Sequence, residues 1–312
     1  MGATMSEAFP PKANWSVTQI PDLSGRVMIV TGGNTGVGYE TCKELLKRDA
    51  KVYLAARSKE RADAAIARLK QDTGKDAIFL PLDLSSLASV RTAATEFKGK
   101  EPALHVLFNN AGVMSPPIDA LTKEGYDMQW GTNVLGHFYL TELLLPALEQ
   151  GAKTSPDQHA RVITTASSAA YSGKIDFTAM ADTPERKKVG ETSLYWQSKL
   201  GNAIVSHQAA QRYAGKGIVS ISLNPGNLDS DLYRNFPSLV HTILRKTILY
   251  PNSYGALTQL YAGTMPEALK LNGGWMKPWA RESKLKKAED DVLGKQVWAW
   301  CADAVKKFEQ TQ

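Results

Sequence analysis

Tyr195 and Lys199 form a Y-x-x-x-K pair within residues 194–213, a stretch whose pattern predicts a long helix. Side chains four residues apart lie on one face of a helix, so the phenol and the ammonium are expected to be neighbours. A tyrosine hydroxyl ordinarily titrates near pH 10, but a nearby positive charge favours the phenolate and lowers the pKa. Such a pair can donate or accept a proton near neutral pH. The same spacing also arises by chance on amphipathic helices, so the pair needs support from other motifs.

A glycine-rich segment follows the first predicted strand at residues 31–38, which read TGGNTGVG. Its glycines permit a tight turn and let the backbone approach a pyrophosphate. The helix predicted to follow offers free N–H groups and the positive end of its dipole to that anion. The segment therefore predicts a dinucleotide-binding turn, with contacts expected from Gly32, Asn34, Thr35, Gly36, Val37 and Gly38.

The end of the second predicted strand bears on which nicotinamide cofactor fits. In dinucleotide folds an acidic residue at this place bonds the ribose 2′-hydroxyl of NAD. Here the strand runs into Ala56, Arg57 and Ser58, so no carboxylate would repel a 2′-phosphate. Arg57 can form paired hydrogen bonds with phosphate oxygens and Ser58 can add a hydroxyl, unless Arg57 is simply a surface residue of a loop. We expect NADP(H) to be favoured over NAD(H).

Apolar β-branched runs alternate with longer amphipathic stretches along the chain. The strand candidates are residues 26–31, 52–56, 77–80, 106–109, 161–165 and 219–224, and the helix candidates are residues 36–48, 58–73, 86–97, 127–149 and 194–213. This alternation predicts an α/β fold with a doubly wound parallel sheet of Rossmann type. We expect a single domain over residues 22–312 after an N-terminal extension, residues 1–21. Ligands of such sheets bind beyond the carboxyl ends of the strands, where the motifs fall.

Composition argues against several other classes of protein. The chain has two cysteines, Cys42 and Cys301, and no C-x-x-C or Cys/His cluster that suggests zinc. The first residues do not resemble a signal peptide, and no apolar run is long enough to span a bilayer. A net charge of +6 over 312 residues is modest and lacks the dense basic stripe of nucleic-acid-binding modules. We expect a cytoplasmic protein with no metal and no nucleic-acid partner.

The glycine spacing G-x-x-x-G-x-G differs from the more general G-x-G-x-x-G and resembles the cofactor turn of the short-chain dehydrogenase/reductase family. The resemblance covers about residues 22–308. Within the family the chain is most similar to the retinol-dehydrogenase-like and WW-domain-oxidoreductase-like branch, through residues 34–36, 52–57, 136–138, 254–256 and 273–275. Members of this branch act on lipophilic alcohols, aldehydes and ketones. The resemblance therefore implies a lipophilic small-molecule substrate.

The resemblance also implies roles for individual residues. Ser168 matches the catalytic serine that hydrogen-bonds the substrate oxygen, with Ser167 as the competing candidate. Asn133 matches the asparagine that holds a water linking Lys199 to solvent. Asp83 matches the acid at the adenine, and Ser230 stands where the family usually has a threonine that bonds the nicotinamide carboxamide. The full set of implied cofactor contacts adds Leu84, Asn110, Ala111, Gly112, Pro225, Gly226 and Leu228 to Asp83, Ser230, Tyr195 and Lys199.

Hydride transfer between nicotinamide and an alcohol/carbonyl pair competes with other hypotheses. The chain could bind the cofactor as a regulatory or sensor protein without turnover, although all four catalytic candidates are present. It could also be a lyase or epimerase, a branch that prefers a different glycine spacing. Residues 239–250 could contact a membrane surface, or they could belong to a substrate lid over about residues 227–252. Monomer and homodimer are both compatible with the sequence.

Overall fold

The computed structural model describes residues 6–7, 9–229 and 249–311. Within them, a single sheet has eight strands in the order β3-β2-β1-β4-β5-β6-β7-β8. The strands are β1 (Val27–Thr31), β2 (Lys51–Ala56), β3 (Ile78–Pro81), β4 (Val106–Asn109), β5 (Ala160–Thr165), β6 (Ile218–Leu223), β7 (Trp275–Lys277) and β8 (Arg281–Ser283). All neighbouring strands run parallel except β7 and β8, which are antiparallel.

Helices cover both faces of this sheet. The described α-helices longer than one turn are α1 (Gly36–Lys47), α2 (Lys59–Thr73), α3 (Leu87–Lys100), α4 (Gly136–Thr154), α5 (Pro184–Val189), α6 (Glu191–Tyr213), α7 (Asn252–Thr264) and α8 (Asp291–Gln310). Buried side chains of α1, α2 and α7 form one core cluster, and those of α3, α4, α6 and α8 form the other. Ile29 and Val30 belong to opposite clusters, because successive strand side chains point to opposite faces. The predicted doubly wound α/β fold is confirmed.

The six strands predicted from the sequence are also confirmed, each end lying within one residue of its predicted position. Strands β1, β5 and β6 are buried along their whole length, as expected for parallel strands with helices on both sides. The carboxyl ends of β1, β2, β4, β5 and β6 meet at one edge of the sheet. The predicted site residues that the structure describes therefore lie towards a common edge.

The predicted helix over residues 127–149 is divided into three parts. A single α-helical turn, Met128–Trp130, begins after Asp127, whose carboxylate accepts the N–H groups of Gln129 and Trp130 at 3.0 and 2.8 Å. A π-helical segment, Gly131–Leu135, then leads into α4. Such segments are rare and are frequent at functional sites. The π-helical segment contains Asn133, one of the catalytic candidates.

Several elements were not among those predicted. Strands β7 and β8 have three residues each, too few to show a period in the sequence. Helices α5, α7 and α8 also lay outside the predicted set. The predicted lid over about residues 227–252, including Ser230, lies largely outside the described residues. No helix in the described part of the chain is both long and apolar enough to cross a membrane.

Candidate active site

Tyr195 and Lys199 lie together on α6, as their spacing predicts, and both are buried. The Lys199 Nζ atom is 5.7 Å from the centroid of the Tyr195 ring. It donates a hydrogen bond to the main-chain oxygen of Thr165, the last residue of β5, at 3.2 Å. Among the ion pairs of the described residues, none involves Lys199. The ammonium therefore stands beside the phenol without a carboxylate to neutralise it.

Burial lowers the pKa of Lys199 to about 8. The cause is loss of hydration, which disfavours the charged form of a lysine that has no anionic partner among the described residues. Near neutral pH most of the side chain is still an ammonium. A phenolate at Tyr195 would supply the missing negative charge, so each group favours the charged form of the other.

The turn after β5 decides between the two serine candidates. The chain passes from Thr165 into a 3-10 helix, Ser168–Tyr171, which packs against α6. The hydroxyl oxygen of Ser167 caps that helix by accepting the N–H of Ala169 at 3.2 Å. Ser168 is partly exposed, and its hydroxyl makes no hydrogen bond to any described residue. This difference favours Ser168 as the serine available to a substrate oxygen.

Asn133 is fully buried and fixes the segment after β4 against α6. Its Oδ1 accepts the N–H of Val113 at 2.8 Å, and its Nδ2 donates to the Val113 oxygen at 3.0 Å and to Ser198 Oγ at 2.9 Å. A methyl group at Gly112 would lie 3.2 Å from Asn133 Oδ1 and 3.3 Å from Lys199 Nζ. Asn133, Lys199 and the backbone of Gly112 thus converge on one point. The side-chain amide serves protein contacts here, so a relay water would have to bind elsewhere on Asn133.

Thr31, the last residue of β1, joins the glycine turn to the segment after β4. Its hydroxyl oxygen accepts the N–H groups of Asn110 and Ala111, both at 2.9 Å, and Asn110 Nδ2 donates to the Thr31 oxygen at 2.8 Å. The same hydroxyl lies 2.9 Å from His137 Nε2. Burial lowers the pKa of His137 to about 4, so this imidazole is neutral at working pH. Two segments predicted to bind the cofactor form one hydrogen-bonded unit.

The glycine turn has the close backbone packing that a bound pyrophosphate requires. Gly32 and Gly36 have φ angles of 68° and 55°, which glycine adopts at little cost. A methyl at Gly38 would lie 2.3 Å from the Gly32 oxygen and 2.7 Å from Asn110 Nδ2. Helix α1 begins at Gly36, so its first N–H groups are available to an anion. The other predicted contacts of this turn are at least partly exposed: Asn34, Thr35 and Val37.

The predicted contacts on the adenosine side of the cofactor differ in how many of their side-chain atoms already form hydrogen bonds within the protein. Ser58 caps α2 by accepting the N–H of Arg61 at 3.2 Å. Asp83 Oδ1 accepts the N–H and the hydroxyl of Ser85 at 3.0 and 2.7 Å. Arg57 is exposed at the end of β2, and no described residue hydrogen-bonds or pairs with its guanidinium. The Arg57 guanidinium is thus available to a ligand at this end.

The remaining predicted contacts that the structure describes include Leu84, Leu228 and the loop after β6, which lie at the same edge of the sheet. Leu84 and Leu228 are buried, so a ligand would meet mainly their backbones. The loop after β6 is shaped by Asn224, whose Oδ1 accepts the N–H of Gly226 at 3.0 Å. Ser230, the predicted carboxamide contact, lies outside the described residues.

Sequence reasoning did not identify Thr31 or Ser198 as parts of the site. Thr31 immediately precedes the glycine turn, and Ser198 immediately precedes Lys199, so position alone could have drawn attention to them. Their hydrogen-bond partners lie 79 and 65 positions away, which no local pattern reveals. His137 drew notice only through a family resemblance, although it follows Asn133 by one helical turn.

Comparison with known proteins adds independent observations. Residues 26–238 match the sequence profile of a family described as short chain dehydrogenase. The chain is 55% identical over 297 residues to a short-chain dehydrogenase/reductase from Armillaria gallica, covering 95% of both chains. It is 36% identical to another short-chain dehydrogenase/reductase, from Phomopsis amygdali, covering 97% of this chain and 96% of that one.

Solved structures with the same fold are also similar in sequence. An uncharacterised protein from Mycobacterium paratuberculosis gives a TM-score of 0.73 at 28% identity, covering 94% of this chain and 98% of that one. A structure described as the Pseudomonas aeruginosa RhlG/NADP active-site complex gives a TM-score of 0.65 at 26% identity, covering 82% of this chain and 95% of that one. The alignments span most of each chain, so the likeness extends over the whole sheet.

Replacing Gly38 by alanine should weaken dinucleotide binding, because the methyl group would force the Gly32 carbonyl out of the turn. We expect the dissociation constant for NADPH to rise at least about tenfold, measured by calorimetry. Gly99→Ala in α3 is the matched control, since a methyl there meets nothing within 4 Å. It should bind NADPH like the wild type. Wild-type affinity in Gly38→Ala would show that the turn does not hold the cofactor.

Replacing Lys199 by methionine should stabilise the ligand-free protein, because the buried ammonium is removed. The pKa of Lys199 falls from 10.5 to about 8 on folding, which corresponds to about 3 kcal/mol of unfolding free energy at neutral pH. The folded pKa is the lower one, so the penalty is full below pH 8 and disappears as pH approaches 10.5. Urea unfolding of both proteins from pH 7 to 10.5 measures the difference. A pH-independent difference would contradict this cause.

Proposed function

The chain belongs to the short-chain dehydrogenase/reductase family, and on that premise we propose that it is an NADP(H)-dependent oxidoreductase acting on an alcohol/carbonyl pair. The observation that carries the proposal is the buried Lys199 ammonium beside Tyr195. Burying a cation without an anionic partner is costly, and cofactor binding alone does not require it next to a phenol. The arrangement is useful when the phenol must exchange a proton during the reaction, which favours an enzyme over a sensor without turnover.

Bound NADPH supplies the hydride. During carbonyl reduction, Tyr195 donates its phenolic proton to the substrate oxygen while the Ser168 hydroxyl hydrogen-bonds the same atom. Negative charge develops on this oxygen as the carbon is reduced, and two fixed donors stabilise that charge. Lys199 stabilises the phenolate that Tyr195 becomes. In alcohol oxidation each of these steps runs in reverse, with the Tyr195 phenolate as the base.

The phenolate must regain its proton before the next reduction. We assign this step to Lys199, whose Nζ lies beside the Tyr195 ring and close to Asn133. With its side-chain amide bound to Val113 and Ser198, Asn133 offers its main-chain oxygen as the place for a relay water. That oxygen already lies 2.9 Å from His137 Nδ1 and has a second lone pair. The π-helical segment around Asn133 can leave such a carbonyl outside the regular helical ladder.

The proposed preference for NADP(H) depends on Arg57. Its guanidinium is exposed at the end of β2, where NAD-specific dinucleotide folds place an acid. Ser58 can still donate its hydroxyl proton while its oxygen caps α2. Asp83 retains Oδ2 for the adenine, because only Oδ1 is bound to Ser85.

We propose a lipophilic substrate, as in the retinol-dehydrogenase-like branch that the chain resembles. Trp196 follows Tyr195 and is 37% exposed, which is unusual among the large apolar side chains described. A panel of aldehydes, ketones and alcohols of increasing apolar length, with NADPH or NADP+ absorbance as the readout, would identify the class. Rates that fall with apolar length would contradict this part of the proposal.

Tyr195→Phe tests the proposed mechanism by removing a single hydroxyl. We expect carbonyl-dependent NADPH oxidation to fall by about 10² or more, because the proton donor is lost. NADPH affinity should stay near the wild-type value, since the glycine turn holds the cofactor. Tyr261→Phe is the matched control: this hydroxyl has no hydrogen bond to a described residue and lies on α7. Equal turnover in the two variants would rule out Tyr195 as the acid.

Arg57→Ala tests the cofactor preference. We expect the ratio of kcat/KM for NADPH to kcat/KM for NADH to fall by about tenfold to a hundredfold, because charge-assisted bonds to the 2′-phosphate are lost. The efficiency with NADH should hardly change. Arg61→Ala, an exposed arginine in the first turn of α2, controls for loss of positive charge near this end. A wild-type ratio of one or less would refute the preference itself.

A further inference from the structure

Glu7 is a carboxylate of the N-terminal segment that lies buried at the carboxyl edge of the sheet, with 2% of its surface exposed. Its Oε1 accepts the hydroxyl of Tyr171 at 2.6 Å, and its Oε2 accepts Asn224 Nδ2 at 2.8 Å. The preceding residue, Ser6, receives two hydrogen bonds from Arg281, to its hydroxyl at 3.0 Å and its main-chain oxygen at 2.7 Å. Both carboxylate oxygens are therefore bound, and the segment is anchored from β8.

The two partners of Glu7 belong to the two loops that flank the proposed reaction centre. Tyr171 ends the 3-10 helix that Ser168 begins. Asn224 directly follows β6 and shapes the loop through Gly226. Since β5 and β6 are adjacent and paired up to their last residues, Glu7 spans the carboxyl ends of neighbouring strands. The Glu7 side chain thus connects the 3-10 helix Ser168–Tyr171, called the serine turn below, to the loop after β6, where the resemblance implies cofactor contacts.

The Tyr171 hydroxyl is held in one orientation. It accepts a hydrogen bond from Trp275 Nε1 at 3.0 Å and donates its own proton to Glu7. Burial and the Glu7 carboxylate raise the pKa of Tyr171 to about 12, so the phenol stays the donor of this hydrogen bond. Lys287 Nζ adds a bond to the main-chain oxygen of Tyr171 at 2.7 Å. The end of the serine turn is thus tied to β7, to the N-terminal segment and to the C-terminal region.

We propose that Glu7 is a positioning residue that holds the Ser168 turn and the loop over residues 224–226 in fixed register. The proposal rests on the proposed function, in which Ser168 contacts the substrate oxygen, and on the cofactor contacts that the family resemblance implies for Pro225 and Gly226. A truncated Glu7 side chain would free Asn224 and Tyr171 together. The loop would then hold the nicotinamide end of the cofactor less well, while the adenosine end, bound at β1 and β2, would be unaffected.

Two ligands distinguish an effect at the nicotinamide end of the cofactor site from an effect at its adenosine end. NADPH and 2′-phospho-ADP-ribose share the adenosine and pyrophosphate parts, and the second lacks the nicotinamide. In Glu7→Ala we expect the dissociation constant for NADPH to rise about tenfold, and that for 2′-phospho-ADP-ribose to stay as in the wild type. Glu7→Gln, which keeps one accepting oxygen, should show a smaller loss. Glu267→Gln makes the same change at an exposed carboxylate of the 3-10 helix Pro266–Leu271, away from the predicted cofactor contacts, and should match the wild type with both ligands.

The Tyr171→Phe variant removes the hydroxyl that donates to Glu7 Oε1, so it breaks the same hydrogen bond at its donor. If Glu7 acts through Tyr171, Glu7→Gln combined with Tyr171→Phe should lose less NADPH affinity than the sum of the single losses. Equal losses for both ligands would overturn the proposal, because they would indicate general destabilisation, and unchanged NADPH affinity in Glu7→Ala would overturn it as well. A wild type that binds NADPH but reduces no carbonyl would refute the proposed function, whereas the ligand comparison would still decide the role of Glu7.

Discussion

The buried ammonium of Lys199 is the constraint on which the rest of the site depends. An isolated cation in an apolar interior is unfavourable unless polar groups or an opposite charge surround it. Among the described residues the hydrogen-bond partner of Lys199 is the main-chain oxygen of Thr165, and burial lowers the pKa of this lysine. The site is therefore built to gain from any negative charge that appears nearby. A tyrosine one helical turn away can supply that charge by losing its proton, and it can do so reversibly.

The segments around Lys199 are joined to one another by buried hydrogen bonds. Asn133 binds both main-chain groups of Val113 and the hydroxyl of Ser198, so hydrogen bonds join the segment after β4, the π-helical segment and α6. Thr31 does the same for the glycine turn and that segment. A proton donor, a hydride donor and a substrate must meet within tenths of an ångström for the reaction to proceed. Hydrogen bonds between strand ends provide this precision without using the groups proposed to react.

The sequence predicts those parts of the fold and site that follow from local patterns. Parallel strands covered on both faces are apolar throughout, so β1, β5 and β6 are evident as continuous runs. The Tyr195–Lys199 pair and the glycine turn are likewise contained in short segments. Helix α8 carries apolar residues at helical spacing, such as Val297, Cys301 and Phe308, and the same periodicity argument could have found it.

Contacts between distant segments lie beyond the reach of such patterns. Glu7 and Asn224 are 217 positions apart, and nothing in the N-terminal sequence indicates a buried carboxylate. The π-helical segment contains Asn133, whose amide binds Val113 and Ser198, whereas residues 127–149 have the composition of an ordinary helix. Ser58 and Asp83 were predicted as cofactor contacts, yet their side chains also cap a helix and close a turn. Such dual use is visible only in three dimensions, and the cofactor contacts themselves remain predictions.

A spectrophotometric titration of the tyrosines tests most directly whether Lys199 makes Tyr195 acidic. Burial raises the pKa of the other described tyrosines for which a shift is resolved, namely Tyr39, Tyr53, Tyr126, Tyr139, Tyr171, Tyr213 and Tyr261. A phenolate that forms at a lower pH than those of these tyrosines will therefore be visible in the difference spectrum between the wild type and Tyr195→Phe. We predict that one phenolate forms in the wild type at a lower pH than an ordinary tyrosine requires, and that it is absent from the variant. Identical spectra up to pH 10 would contradict the central claim.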